Sequence, residues 1–202
     1  MVGNRLATHQ KKALQQKAWI VLIDESGLLM APLVRRTWAL RGQTPQLYQR
    51  GKHREKVSLA AALCLSPKRD QLSLIWHTLV NAYFNNERIA RFLENLMREI
   101  PHRLIVVWDR GNMHKGDPIR AQVERFRPRL SLELLPPYAP MLNPVEQVFT
   151  WIKHGRLSNY APPNAHMLNR TLRGELQTLE QDQRAIRKIW HASQLPLPRR
   201  LG

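Results

Sequence analysis

The chain has 202 residues, 43% of them hydrophobic, which is enough for one domain of about 150 residues with appendages at its ends. Its 32 Lys and Arg against 15 Asp and Glu leave a formal charge of +17; such a surface repels itself unless a polyanion or salt screens it, so nucleic acid is the first partner to consider. No run reaches the roughly 18 apolar residues of a membrane span, no secretory leader is read at the N-terminus, and the lone Cys64 excludes a disulfide framework, so a reducing, cytoplasmic setting at the nucleoid is expected.

Residues 1–18 carry Arg5, Lys11, Lys12 and Lys17 without an acid and read as a basic arm ahead of a domain spanning 19–160. That domain opens with Trp19-Ile-Val-Leu-Ile-Asp24-Glu25, an uninterrupted apolar run of buried-strand type with a carboxylate at its far end. Ser26-Gly27 predicts a turn, and Leu28–Val34 a returning strand whose far end Pro32 weakens. Residues 35–55 are basic and rich in turn formers, and Arg35, Arg36, Arg41, Arg50, Lys52 and Arg54 form the best candidate patch for a phosphate backbone. Within it, Trp38, Gly42 and Pro45 predict a turn beside the sheet. Val57–Leu65 reads as a central strand and Gln71–Thr78 as another.

Ile89, Phe92, Leu93, Leu96, Met97 and Ile100 then recur at helical spacing, predicting a helix over 86–100 that Pro101 stops. Leu104-Ile-Val-Val-Trp108-Asp109 repeats the design of the first strand, and a polar loop over 111–116 leads to a helix opening at Asp117-Pro118. Leu130–Leu135 is the last predicted strand, and Pro136 to Pro140 a rigid connector to a helix starting at Asn143-Pro144. Beyond Pro162-Pro163, one long helix is expected from Ala165 to about Trp190, followed by a tail with Pro196, Pro198, Arg199 and Arg200; residues 161–202 are read as this helix and tail. Strands first, then helices and strands in alternation, give an α/β fold with a mixed sheet.

If the two apolar runs pair side by side, Asp24 and Asp109 become neighbours at a strand end, where sites gather in parallel sheets. Two such carboxylates repel each other, and hard divalent cations with oxygen ligands are the natural compensation. A pair of ions about 3.5–4 Å apart would clamp the attacking and leaving oxygens of a phosphodiester displacement. Taken singly, each acid has a blander reading. Asp24 and Asp109 could be turn formers, and Glu146 lands where a capping box of Asn143 would place it. Glu25 should point to the opposite face from Asp24.

The set Asp24-Glu25-Ser26, Trp38-Ala-Leu-Arg-Gly42-Gln-Thr-Pro45, Trp108-Asp-Arg-Gly-Asn-Met-His-Lys115 and Leu135-Pro-Pro-Tyr-Ala-Pro-Met-Leu-Asn-Pro-Val-Glu146 resembles the catalytic domain of mariner-superfamily DDE transposases, in their bacterial insertion-sequence branch. The 36 residues between Asp109 and Glu146 (110–145) are close to that family's spacing. The resemblance implies a ribonuclease-H-like fold, a mixed five-stranded sheet flanked by helices, with Asp24, Asp109 and Glu146 holding two Mg²⁺ or Mn²⁺ ions. It further implies nicking at transposon ends and joining of the freed 3′-hydroxyl to target DNA, commonly by a homodimer. Such enzymes usually carry helix-turn-helix modules ahead of this domain, and none fits into the 18 residues before Trp19, so binding specific to an end sequence is expected to be missing.

Other residues are secondary. His114 and Lys115 follow the second acid and could touch a phosphate or order the loop; Asn112 is a turn residue; Lys153, seven positions after Glu146, could meet the DNA backbone. The aromatic residues read as core, without a base-stacking platform. On the residues alone, another metal nuclease of the same fold and a non-catalytic basic DNA-binding protein remain open.

Overall fold

The computed structural model describes residues 17–48, 55–111, 114–137, 139–193 and 195. The arm residues Arg5, Lys11 and Lys12, the patch residues Arg50, Lys52 and Arg54, Asn112, and the tail from Pro196 lie outside them.

The first apolar run does form a strand, β1 (Trp19–Leu29), with Val21, Leu22 and Ile23 at most 1% exposed. It does not stop at Ser26-Gly27. Gly27 lies opposite Ser58 and Leu28 opposite Val57, so the run continues along β2 (Lys56–Leu65), and no strand returns over Leu28–Val34. The partner of β1's far half comes from further down the chain, and residues 31–48 run irregularly over the surface with one turn at Arg41-Gly42. Trp38 is fully exposed there, against the reading of the aromatics as core, although Gly42 (φ 84°) does make the expected turn, with Gln43 N–H donating to the Leu40 carbonyl.

Strand β2 pairs antiparallel with β3 (Leu72–Val80) on its other side. Helix α1 (Asn86–Glu99) starts where the Asn85 side chain accepts from Arg88 N–H. Strand β4 (Leu104–Trp108), helix α2 (Asp117–Arg125) and strand β5 (Leu130–Leu134) follow. The sheet order is β3-β2-β1-β4-β5, and β4 lies parallel to both β1 and β5, which is the expected mixed five-stranded sheet.

After a short 3-10 turn at Pro140–Leu142, α3 (Val145–Thr150) widens into a π turn over Trp151–Arg156. The long helix expected beyond Pro163 is two helices, α4 (Ala165–Gln181) and α5 (Gln183–Ala192). Asp182 breaks it: its side chain accepts from Ala185 N–H, capping α5, and its own N–H ends α4 on the Leu179 carbonyl. Such side-chain capping competes with helix continuation.

Strand alternation divides the core. Ile20, Leu22 and Leu28 of β1 pack with α3, α4 and α5, including Leu168, Leu172, Leu176 and Leu179, each at most 3% exposed. Val21 and Ile23 pack with α1 and Ile119 of α2 on the opposite face. Each buried leucine of α4 contributes about 1.5–3 kcal/mol, which fixes the helical layer that carries α3 to the sheet.

Candidate active site

Parity along the strands decides which side chains meet. In β1, Leu22 belongs to the α3 layer and Ile23 to the α1 layer, so Asp24 and Ser26 face α3 while Glu25 faces the opposite way. In β4, Val107 and Trp108 divide in the same manner. Leu22 is the last residue of β1 paired with β4, opposite Val107. Asp24 and Asp109 each lie two residues further on and leave the sheet on the same face at the same level. The third acid arrives from the helical layer: Glu146, in the first turn of α3, lines one pocket of about 420 Å³ together with Asp24, Asp109 and the Pro136-Pro137 connector.

Asn143 joins these pieces. It is 3% exposed, and its Nδ2 donates to the Ile23 carbonyl and to Asp24 Oδ2, both at 3.2 Å, while its Oδ1 accepts from Val145 N–H. One amide thus starts α3, pins that helix to β1 and orients a carboxylate. The capping-box reading of Glu146 does not hold, because Asn143 N–H is donated to the Pro140 carbonyl at 2.9 Å.

The Asp24 carboxyl is pushed up to about 7. Burial is the largest cause, followed by repulsion from Glu146 and, more weakly, from Glu25 and Asp109; the hydrogen bond from Glu25 N–H opposes them. The pocket therefore offers hard oxygen donors and negative charge in need of a cation, which fits a hard divalent ion. Among the described residues no three His, Cys, Asp or Glu groups close into a finished cage. Mg²⁺ needs only one or two carboxylates beside water and phosphate oxygens, so an open pocket of this size suits it.

Lys153 reaches the same face from the π turn, its Nζ donating to Ser26 Oγ at 2.6 Å. Burial pushes its amine below the usual range, and Glu146 and Asp24 pull it partly back. Of the two roles expected of His114, the structure places it in the ordering of the loop, its N–H donating to the Gly111 carbonyl and its Nδ1 lying 3.3 Å from the Asp109 carbonyl. Its side chain is 2% exposed, stacked on Trp108, with Nδ1 2.8 Å from Asp109 Oδ1 and Nε2 3.2 Å from Glu25 Oε1. Burial alone would lower its pKa, but the hydrogen bond and charge of Glu25, with Asp109, raise it. With both ring nitrogens occupied and no access from solvent, His114 offers nothing to a DNA phosphate. Lys115 is exposed beside it. Arg35, Arg36 and Arg41 are exposed and outside the acid pocket; the backbone of Arg35 is tied to the Asn159 side chain just beyond the π turn.

Sequence reasoning missed Asn143 as the support of Asp24 and Glu25 as the partner of His114. It also passed over Gly111, whose N–H donates to Asp109 Oδ1 at 2.8 Å and where a Cβ would sit 3.0 Å from that oxygen.

The fold is shared with Mos1 transposase in three solved structures. In the paired-end complex with the left transposon end the TM-score is 0.61 at 17% identity, over 95% of this chain and 56% of that one. For the Mos1 mariner paired-end complex with Mn the values are 0.61 and 20%, over 94% and 58%. For the isolated Mos1 catalytic domain they are 0.57 and 17%, over 94% and 81%. At such identity the likeness establishes the fold, ribonuclease-H-like as expected, and this chain spans little more than half the length of Mos1 in the DNA complexes. No curated protein sequence gives a significant match. The family model for the DDE superfamily endonucleases matches residues 19–169, and with well over half of its length covered, the chain belongs to that superfamily.

Proposed function

We propose that this chain is the catalytic domain of an insertion-sequence transposase, cutting DNA at transposon ends and joining the freed 3′-hydroxyls to target DNA. The observation that carries the reading is the convergence of Asp24, Asp109 and Glu146, from β1, the end of β4 and the start of α3, on one pocket. The Mos1 structures support it: that protein was solved with Mn, with Mg, with a transposon end and as a strand transfer complex.

In this reading Asp24, Asp109 and Glu146 would hold two Mg²⁺ or Mn²⁺ ions, which would supply charge stabilisation at the attacking and leaving oxygens of the phosphodiester. The chain's own residues do the rest. Asn143 holds the Asp24 carboxylate toward the pocket, Gly111 N–H and His114 hold that of Asp109, and Lys153 sets a positive charge beside Asp24 and Glu146. The +17 surface, with Arg35, Arg36, Arg41 and Lys115 exposed on it, draws in the DNA backbone through salt-sensitive phosphate contacts. Two ends must be processed together, so the working unit on DNA is a dimer.

The test uses supercoiled plasmid and a pre-cleaved oligonucleotide with a free 3′-hydroxyl, incubated with the chain in Mn²⁺ or Mg²⁺. The expected result is nicking plus covalent joining of the oligonucleotide to plasmid, both at background in Asp24→Asn, Asp109→Asn and Glu146→Gln. Nicking without joining would mark a plain nuclease of the same fold, and nicking that survives all three substitutions would remove the proposed site.

A further inference from the structure

Asp109 occupies an awkward position. It lies one residue past the end of β4, and its side chain is 58% exposed. A carboxylate in such a place samples several rotamers unless neighbours hold it, and a site that positions reacting groups needs it held. Two groups reach its Oδ1: Gly111 N–H, which donates to it at 2.8 Å, and the Nδ1 of His114, which lies 2.8 Å from it as an ion-pair contact while hydrogen-bonding the Asp109 backbone carbonyl at 3.3 Å.

His114 is itself immobilised from two directions. Its ring lies flat on Trp108, with centroids 4.4 Å apart and planes 3° from parallel, and Trp108 is 1% exposed in the α1-side core. Its Nε2 is 3.2 Å from both carboxylate oxygens of Glu25, whose side chain is 8% exposed. Glu25 stands on the face of β1 opposite Asp24, where it cannot share the acid pocket. A buried ion pair is a poor source of stability compared with well-packed apolar side chains, because both charges lose their hydration. A carboxylate kept on the apolar face behind the site therefore calls for a role other than holding the fold together.

We infer that Glu25 and His114 form a brace that runs from the back of β1 to the Asp109 carboxylate and fixes its orientation in the acid pocket, making both of them positioning residues. The inference rests on the reading of Asp109 as an ion-holding residue. Outer partners of this kind are worth roughly 10–100-fold in metal affinity or activity.

The variants are His114→Ala, His114→Gln, Glu25→Ala and Glu25→Gln in the full chain. Gln at 114 fills much of the ring's space but reaches only one of the two carboxylates, so it serves if the Ala variant does not fold. Calorimetric titration with Mn²⁺ alone should show affinity weakened roughly 10–100-fold in His114→Ala and Glu25→Ala. It should stay within a few-fold of wild type in Glu25→Gln, which keeps an oxygen for Nε2. Crystals of a folded His114 variant should show the Asp109 carboxylate displaced or in several conformers, and nicking assays should lose kcat with KM for DNA unchanged. Mn²⁺ binding that is lost in Asp109→Asn but unchanged in both His114 variants, with Asp109 in its original place, overturns the brace alone. A wild-type chain that binds no Mn²⁺ overturns the active-site reading and the brace with it.

Discussion

Replacing Asp24 by Asn should make the metal-free protein more stable while abolishing its activity. The Asp24 carboxyl is raised from 3.8 to about 7 because it is buried among other acids, so the folded state binds its proton more tightly than the unfolded chain does. Between those two values the folded protein carries more protons, and stability falls as pH rises through the window; above about 7 the penalty is constant. Roughly three pKa units at about 1.36 kcal/mol each make that penalty about 4 kcal/mol. Asn removes it but has a single oxygen, whereas Glu25 N–H and Asn143 Nδ2 both donate to Asp24. One lost hydrogen bond costs about 1 kcal/mol, leaving a net gain of about 3 kcal/mol at pH 8. For a chain of this size that raises Tm by about 6–12 °C. Calorimetry in EDTA at pH 8 measures the gain, and at pH 4 it should nearly vanish, since Asp24 is then protonated in the folded state. Added Mg²⁺ should raise Tm of the wild type and leave the variant nearly unchanged. A variant no more stable than wild type at pH 8 would refute the idea that burial, with repulsion from the neighbouring acids, penalises the Asp24 carboxylate.

Gly111→Ala should reduce Mn²⁺-dependent nicking while shifting Tm by only a few degrees, because its Cβ would press on the Asp109 Oδ1 that lies 3.0 Å away; full activity would show that oxygen to be free to move. Lys153→Met should weaken DNA binding for all sequences alike and lower the salt slope by about one. An unchanged slope in a filter-binding series would mean that Lys153 stays with Ser26 and meets no phosphate. Cys64 is fully buried and its thiol is pushed up by that burial, so iodoacetamide should label it only after unfolding; labelling of the native protein would contradict the packing of β2.

Much of this architecture could be read from residue order because the main strands are buried on both faces and spell themselves out as apolar runs. The same pattern carried Asp24 and Asp109 to one place, since Trp19 and Leu104 lie side by side in parallel strands and each acid follows five residues later. Pairing partners were not legible: Leu28–Val34 looked like a return strand, and only the assembled sheet shows β1 running on beside Val57 and Ser58. The break at Asp182 was hidden because the apolar stripe of Leu176 and Leu179 before it continues in Ile186 and Ile189 after it, and its effect depends on its own side-chain hydrogen bond. Asn143 and His114 were read as cap and loop residues because what they touch lies 119 and 89 residues away in the chain, in Asp24 and Glu25.

The claim on which the account depends is that three acids far apart in sequence form one ion site. Anomalous diffraction from crystals soaked in Mn²⁺ tests it directly. Peaks between the carboxylates of Asp24, Asp109 and Glu146, absent from Glu146→Gln crystals, are the predicted result; peaks only at other positions, with the three carboxylates bare, would contradict it.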